Sequence, residues 1–111
     1  MTIEIMLKNY LDTVMSVPVY LEEPKEKPKR YVLFEKTGGG KDDQIRKATF
    51  AFQSYAESMY EASELNEEVK VAMDNSIYFV DIGKAKLNSD YNFTDITTKR
   101  YRYQAVYDIA F

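Results

Sequence analysis

QIRKATFAFQSYAESMYEASELNEEVKVAMDN, residues 44–75, passes from one periodicity to another within a single stretch. In its first part Ala48, Phe50 and Phe52 recur at every second position, the spacing that puts side chains on one face of a strand. In its second part Met59, Ala62, Leu65, Val69, Ala72 and Met73 recur three and four apart, which lines one side of a helix. Between the two, Ser54-Tyr55-Ala56-Glu57 has the spacing of a capping box, with an alternative helix start one turn further on. Residues 57–76 carry six acids against one lysine, so the side of this helix away from the apolar stripe is acidic and solvated. A strand that feeds such a helix predicts a helix laid on a sheet.

On the N-terminal side, residues 31–36 read as a strand and Gly38-Gly39-Gly40 as the turn that joins it to a strand from about 44 to 53. Three consecutive glycines exceed what a tight turn needs, so the tip is expected to be mobile in the free chain and ordered on assembly. Residues 22–30 (EEPKEKPKR) contain only charged side chains and proline and predict a solvated loop. The run Val17-Pro18-Val19-Tyr20-Leu21 predicts a short edge strand, because Pro18 has no ladder hydrogen to donate. Before it, residues 3–15 read as an amphipathic helix with Ile3, Met6, Leu7, Tyr10, Leu11 and Val14 on one face and Thr2 as its cap. On the C-terminal side, β character resumes over about 82–87, and 88–95 is polar and turn-rich. The last run alternates Tyr101, Tyr103, Ala105, Tyr107, Ile109 and Phe111 with polar neighbours, a clear strand pattern. The order of elements predicts an α+β fold, an antiparallel or mixed sheet of four to five strands with two helices packed on one face. Its expected core is Leu7, Leu11, Phe50, Phe52, Leu65, Val69, Tyr103 and Tyr107.

The chain has 111 residues, which fits one domain spanning 1–111. It has ten Tyr and six Phe but no Cys, His or Trp. Without cysteine there is no disulfide framework, thiol nucleophile or zinc–thiolate site, and without histidine the commonest neutral-pH base and metal ligand is missing. No apolar stretch approaches the roughly 18 residues of a membrane span, and no secretory leader pattern opens the chain, so cytoplasmic residence is expected. Thr37-Gly38-Gly39-Gly40-Lys41 invites comparison with a phosphate loop. That loop needs glycine at position 35, which is Glu35, and a hydroxyl residue after Lys41, where Asp42 stands. The close carboxylate pairs Glu22/Glu23, Asp42/Asp43 and Glu67/Glu68 fall in loops or on a charged helix side, where solvation rather than acid–base work is expected. No catalytic, cofactor-binding or metal-ligating residue is assigned, and the chain is not expected to be an enzyme. One segment, Lys99-Arg100-Tyr101-Arg102-Tyr103, interleaves cations with aromatics in the manner of a single-strand nucleic-acid platform. Alternation sends its tyrosines and arginines to opposite faces, so a core-and-surface reading competes with it.

The succession of an N-terminal helix into VPVYLEEP, then PKRYVLFEK with a glycine-rich hairpin, then the strand into SYAESMYEASELNEEVKVAMDN and the terminal KRYRYQAVYDIAF resembles the tail-terminator (tail-completion) proteins of long-tailed phages. The resemblance covers nearly the whole chain and is carried most by Ala62, Leu65 and Val69 in the helix. It implies a ring, usually of six subunits, that caps the tail tube, ends its polymerisation and joins the tail to the head connector. The implied partners are further copies of the chain, the tail tube protein and the connector protein. The implied location is the host cytoplasm during assembly and the virion tail or neck afterwards. A ring needs heterologous contacts, and Val19 and Leu21 in the edge segment and Gly38, Gly39, Gly40, Lys41 and Asp42 in the hairpin are the candidate subunit or tube contacts. A formal net charge of −3 per chain suits a lumen through which DNA passes without specific binding, with the basic residues 25–30 kept away from it. The alternatives are another phage neck or connector component and a small RNA-binding regulatory module.

Overall fold

The computed structural model describes residues 1–98 and 100–111, with Asp42 described by its backbone alone. The elements follow in the order α1 (Ile3–Val14), β1 (Val19–Tyr20), β2 (Tyr31–Asp42), β3 (Ile45–Ala56), α2 (Met59–Asp74), β4 (Lys84–Asn92) and β5 (Tyr101–Ala110), with a 3₁₀ turn at Ser76–Tyr78 after α2. The strands make one mixed sheet in the order β1-β2-β3-β5-β4; β1 runs parallel to β2 and the other pairings are antiparallel. Both helices pack on one face of this sheet, giving the α+β architecture that the two periodicities predict.

Cross-strand pairing explains why that face is apolar. Phe52 stands between Phe34 and Ala105, Phe50 beside Tyr107, and Ala48 beside Ile109, so three rows of apolar side chains face the helices. Phe34 and Phe52 stack with centroids 5.2 Å apart, and Tyr107 meets Phe52 edge-on at 6.1 Å. Leu65, Val69 and Met73 of α2 and Leu7 and Leu11 of α1 cover these rows and are fully buried. Thr2 caps α1 by accepting from the Ile5 N–H at 3.3 Å. Tyr10 ties the helices together, its hydroxyl donating to the Ala72 carbonyl at 2.7 Å. Where α1 ends, the backbone N–H and hydroxyl of Ser16 both donate to the Glu68 carboxylate, at 2.9 and 2.7 Å. Of the expected core, Tyr103 is only half-buried, because it pairs with Ser54 at the end of the sheet where α2 is beginning. Val14 and Met59, which share the apolar spacing of their helices, sit at helix ends and are 45% and 37% exposed.

Several boundaries differ from the sequence reading. The three glycines are not a turn: they lie inside β2, paired with Thr49, Ala48 and Lys47, after a bulge at Thr37. The reversal is the two-residue turn Asp43-Gln44, where both residues have positive φ, 47° and 68°. That conformation is what a type I′ hairpin turn requires, and here it is adopted without glycine. None of the glycines has positive φ, so their special freedom is not used for chain reversal. β3 continues to Ala56, and α2 starts at the later of the two expected positions. Ser54 is held in the ladder by Val32 and Tyr103, whereas Ser58 accepts from the Glu61 N–H at 3.2 Å and caps the helix. β4 runs on through residues 88–92, read from sequence as turn-rich, because a bulge at Asn88 lets a polar edge strand stay in register with β5.

Candidate functional site

The interleaved Arg–Tyr segment lies on β5, and Lys99 is outside the described residues. The register pairs Arg102 with Tyr55 and Tyr103 with Ser54, so the arginine side belongs to the sheet face that carries no helix. There the arginines are already engaged. The Arg102 guanidinium lies 4.3 Å from the Phe93 ring centroid, its Nε donates to the Phe93 carbonyl at 2.7 Å, and another N–H donates to the Tyr55 hydroxyl at 3.0 Å. Arg100 lies 4.7 Å from the Tyr55 ring centroid and donates to Glu23 at 2.9 Å and to the Tyr31 hydroxyl at 2.7 Å. Tyr31 stacks on Tyr55 at 4.7 Å and donates to Glu23 at 2.8 Å. Burial alone would raise the Glu23 carboxyl, but the hydrogen bonds from Arg100 and Tyr31 outweigh it and hold the group below the usual carboxylate range. Burial, and then the bond to Glu23, pushes the Tyr31 phenol well above its ordinary value. The cluster thus fastens the charged loop before β2 to the sheet. A phosphate or a base meeting these arginines would compete with Glu23 and the aromatic rings that already engage them.

Polar side chains continue across the helix-free face. The Tyr55 hydroxyl donates to Gln53, Gln53 donates to Gln104, both at 2.9 Å, and Gln104 donates to the Tyr91 hydroxyl. Nearer the hairpin, Thr49 and Asn88 donate to the two oxygens of Asp108 at 2.7 and 2.8 Å. Those bonds, Asn88 first, hold the Asp108 carboxyl below its usual range against the raising effect of burial. A lowered folded value means stability that is present above the unfolded aspartate range and is lost as pH falls through the folded value. Asp108→Asn should therefore lose less stability than the parent below about pH 4, measured by denaturant unfolding across a pH series. Equal acid slopes would remove Asp108 from the acid response.

The expected contact residues divide into two groups. Val19 is 3% exposed and belongs to the core, and Leu21 is partly buried against it. Their side chains are used inside the subunit, and the edge segment shrinks to the two residues of β1. Gly38, Gly39, Gly40 and Lys41 lie on an arm, residues 35–41 and 43–47, that is exposed on both faces. The side chain of Asp42 is outside the described atoms. Lys36 lies across Gly39, where a Cβ would come within 2.9 Å of its Cε. Beyond Leu33, β2 has no further partner on its outer side, and β4 is the opposite edge of the sheet.

Two surfaces escape the sequence reading. The outer side of α2 presents Tyr60 and Val71, 71% and 60% exposed, among its carboxylates, and Tyr78 and Phe79 follow it, exposed although Phe79 stacks on Tyr10. The apolar run Ile77-Tyr78-Phe79-Val80 is the signal that could have found them. On the helix-free face at the hairpin end, Lys84 and Lys86 of β4 and Lys47 of β3 wall a trough floored by Thr49, Asp108 and Ala110. It is visible only once the register is known. Among the described residues no cluster of His, Cys, Asp or Glu could hold a metal ion, and no helix is long and apolar enough to cross a membrane. Compared with known protein families and with curated proteins, the sequence matches none, so the functional reading stands on the chain's own geometry.

Proposed function

We propose that this chain is a structural subunit of tail-terminator type, which forms a ring on the end of a phage tail tube, stops its polymerisation and joins it to the head connector. The observation that carries the reading is the exposed end of the β2–β3 hairpin, residues 35–41 and 43–47, whose tip past Lys47 runs beyond the paired end of β5 at one end of a sheet with open edges. A small domain has little apolar area to spare, and a hairpin tip whose described side chains are all exposed adds nothing to its core. Such a tip is better explained by a partner that covers it. The arm and the loop over residues 22–30 supply reach toward the tube and the connector, while DNA passes through the lumen without specific binding.

Size-exclusion chromatography with light scattering, alone and with purified tail tube protein, tests the proposal, with electron microscopy of the assembled species. A closed ring, and tubes that stop growing when it is added, is the expected result. A chain that stays monomeric in both conditions and leaves tube length unchanged overturns the proposal. A ring found on the head side instead would assign the chain to another part of the neck.

A further inference from the structure

We propose that successive copies dock face to back: the outer side of α2 in one copy seats in the lysine-walled trough of the next. This deepens the reading of the chain as a self-assembling subunit and rests on it.

Three observations converge. The first is charge. Glu61 and Glu64 of α2 form no ion pair among the described residues, and the single cation of that helix, Lys70, is already held by Glu67 and Asp90 at 2.7 and 2.6 Å. On the trough side, Lys84 and Lys86 are exposed and likewise form no ion pair among the described residues. The trough's own carboxylate, Asp108, is bonded to the neutral donors Thr49 and Asn88 and offsets part of the charge through Lys86, one carboxylate against two lysines, so the trough stays net basic. The second is apolar exposure. Tyr60 and Val71 stand out among the carboxylates of α2, with Tyr78 and Phe79 exposed beyond its C-terminal end, and large exposed apolar groups next to charged ones mark an interaction surface. The third is placement. The floor of the trough, Thr49, Asp108 and Ala110, belongs to the helix-free face, while α2 lies on the other face of the same sheet. The two surfaces therefore cannot meet within one copy. A contact between different patches is heterologous, and it repeats from copy to copy, closing as a ring where the rotation between copies closes and running on as a filament where it does not. A helix laid in a groove with complementary charge is a common mode of recognition.

Charge reversal tests the docking. One variant, K84E/K86E, makes the trough acidic, and a second, E61K/E64K, makes the helix basic. Glu64, Lys84 and Lys86 are exposed and Glu61 is partly buried, and thermal melts check that both variants fold; K84Q/K86Q serves if the reversed trough does not. Light scattering at low salt should show the parent assembled, each variant alone reduced to monomer, and an equimolar mixture of the two assembled again. In the mixture each interface joins unlike variants, so an even-numbered ring is restored with the copies alternating. Assembly of either variant at parental concentration overturns the docking and leaves the ring reading standing. A parent that stays monomeric at low salt overturns the docking, and one that also stays monomeric with tail tube protein and leaves tube length unchanged overturns both. A parent that forms open filaments lost on charge reversal supports the docking and counts against the ring. If E61K/E64K still assembles while K84E/K86E loses binding to duplex DNA, the trough belongs to nucleic acid and the docking is overturned.

Discussion

Phe50→Ala should lower the unfolding free energy by about 3–5 kcal/mol, the usual cost of emptying a buried aromatic site. Phe50 is fully buried, pairs with Lys36 on one side and Tyr107 on the other, and touches the Phe34 and Phe52 rings at 6.0 and 6.3 Å. Its neighbours belong to three strands and cannot all move in to fill the gap. Since small domains are stable by only about 5–15 kcal/mol, the loss is a large part of the total. At about 4–8 °C per kcal/mol for a chain of this size, a thermal melt should fall by well over 10 °C. A fall of only a few degrees would mean that the ring is not part of the close-packed core.

The second large effect is expected on the opposite face. Tyr55→Ala should cost about 3 kcal/mol or more, although no helix covers that side. Tyr55 is 5% exposed because Tyr31 stacks on one part of its ring and the two arginines lie over the rest. Tyr55→Phe keeps the ring and its cation contacts but loses the hydroxyl bonds with Gln53 and Arg102, so it should cost about 1 kcal/mol. Denaturant unfolding of the two variants separates ring from hydroxyl. Equal losses would place the stabilisation in the hydrogen bonds and not in the stack.

The helix-bearing half of the fold was legible because its signals are local. Ala62, Leu65 and Val69 announce an apolar helix side without reference to the rest of the chain, and Phe50 and Phe52 do the same for β3. The hairpin was misread because glycine is a local signal for freedom, whereas the position of a turn is fixed by what the two strands must pair. Setting Phe34 opposite Phe52 carries the pairing through the bulge to Asp42 and Ile45, and the reversal falls on Asp43 and Gln44 whatever their intrinsic preference. The arginine cluster was half legible. Alternation sends Arg100 and Arg102 away from the helices, but of their partners only Phe93 is near in sequence, while Glu23, Tyr31 and Tyr55 lie far off, and no spacing in the sequence announces them. The trough was invisible for the same reason: Lys47 and Lys84 face each other only across the end of β5.

The strand order has a kinetic meaning. β2 with β3, and β4 with β5, are two antiparallel hairpins, each made of chain neighbours that can meet early. They join along a single seam, where Phe52 meets Ala105 and Phe50 meets Tyr107, residues more than fifty positions apart. The slow event in forming this protein should then be the closure of that seam, with α2 as the tether between the halves. Until it closes, both halves expose an unpaired strand edge and aromatic side chains. That interval is when a misdirected copy would pair with the wrong half of a neighbour.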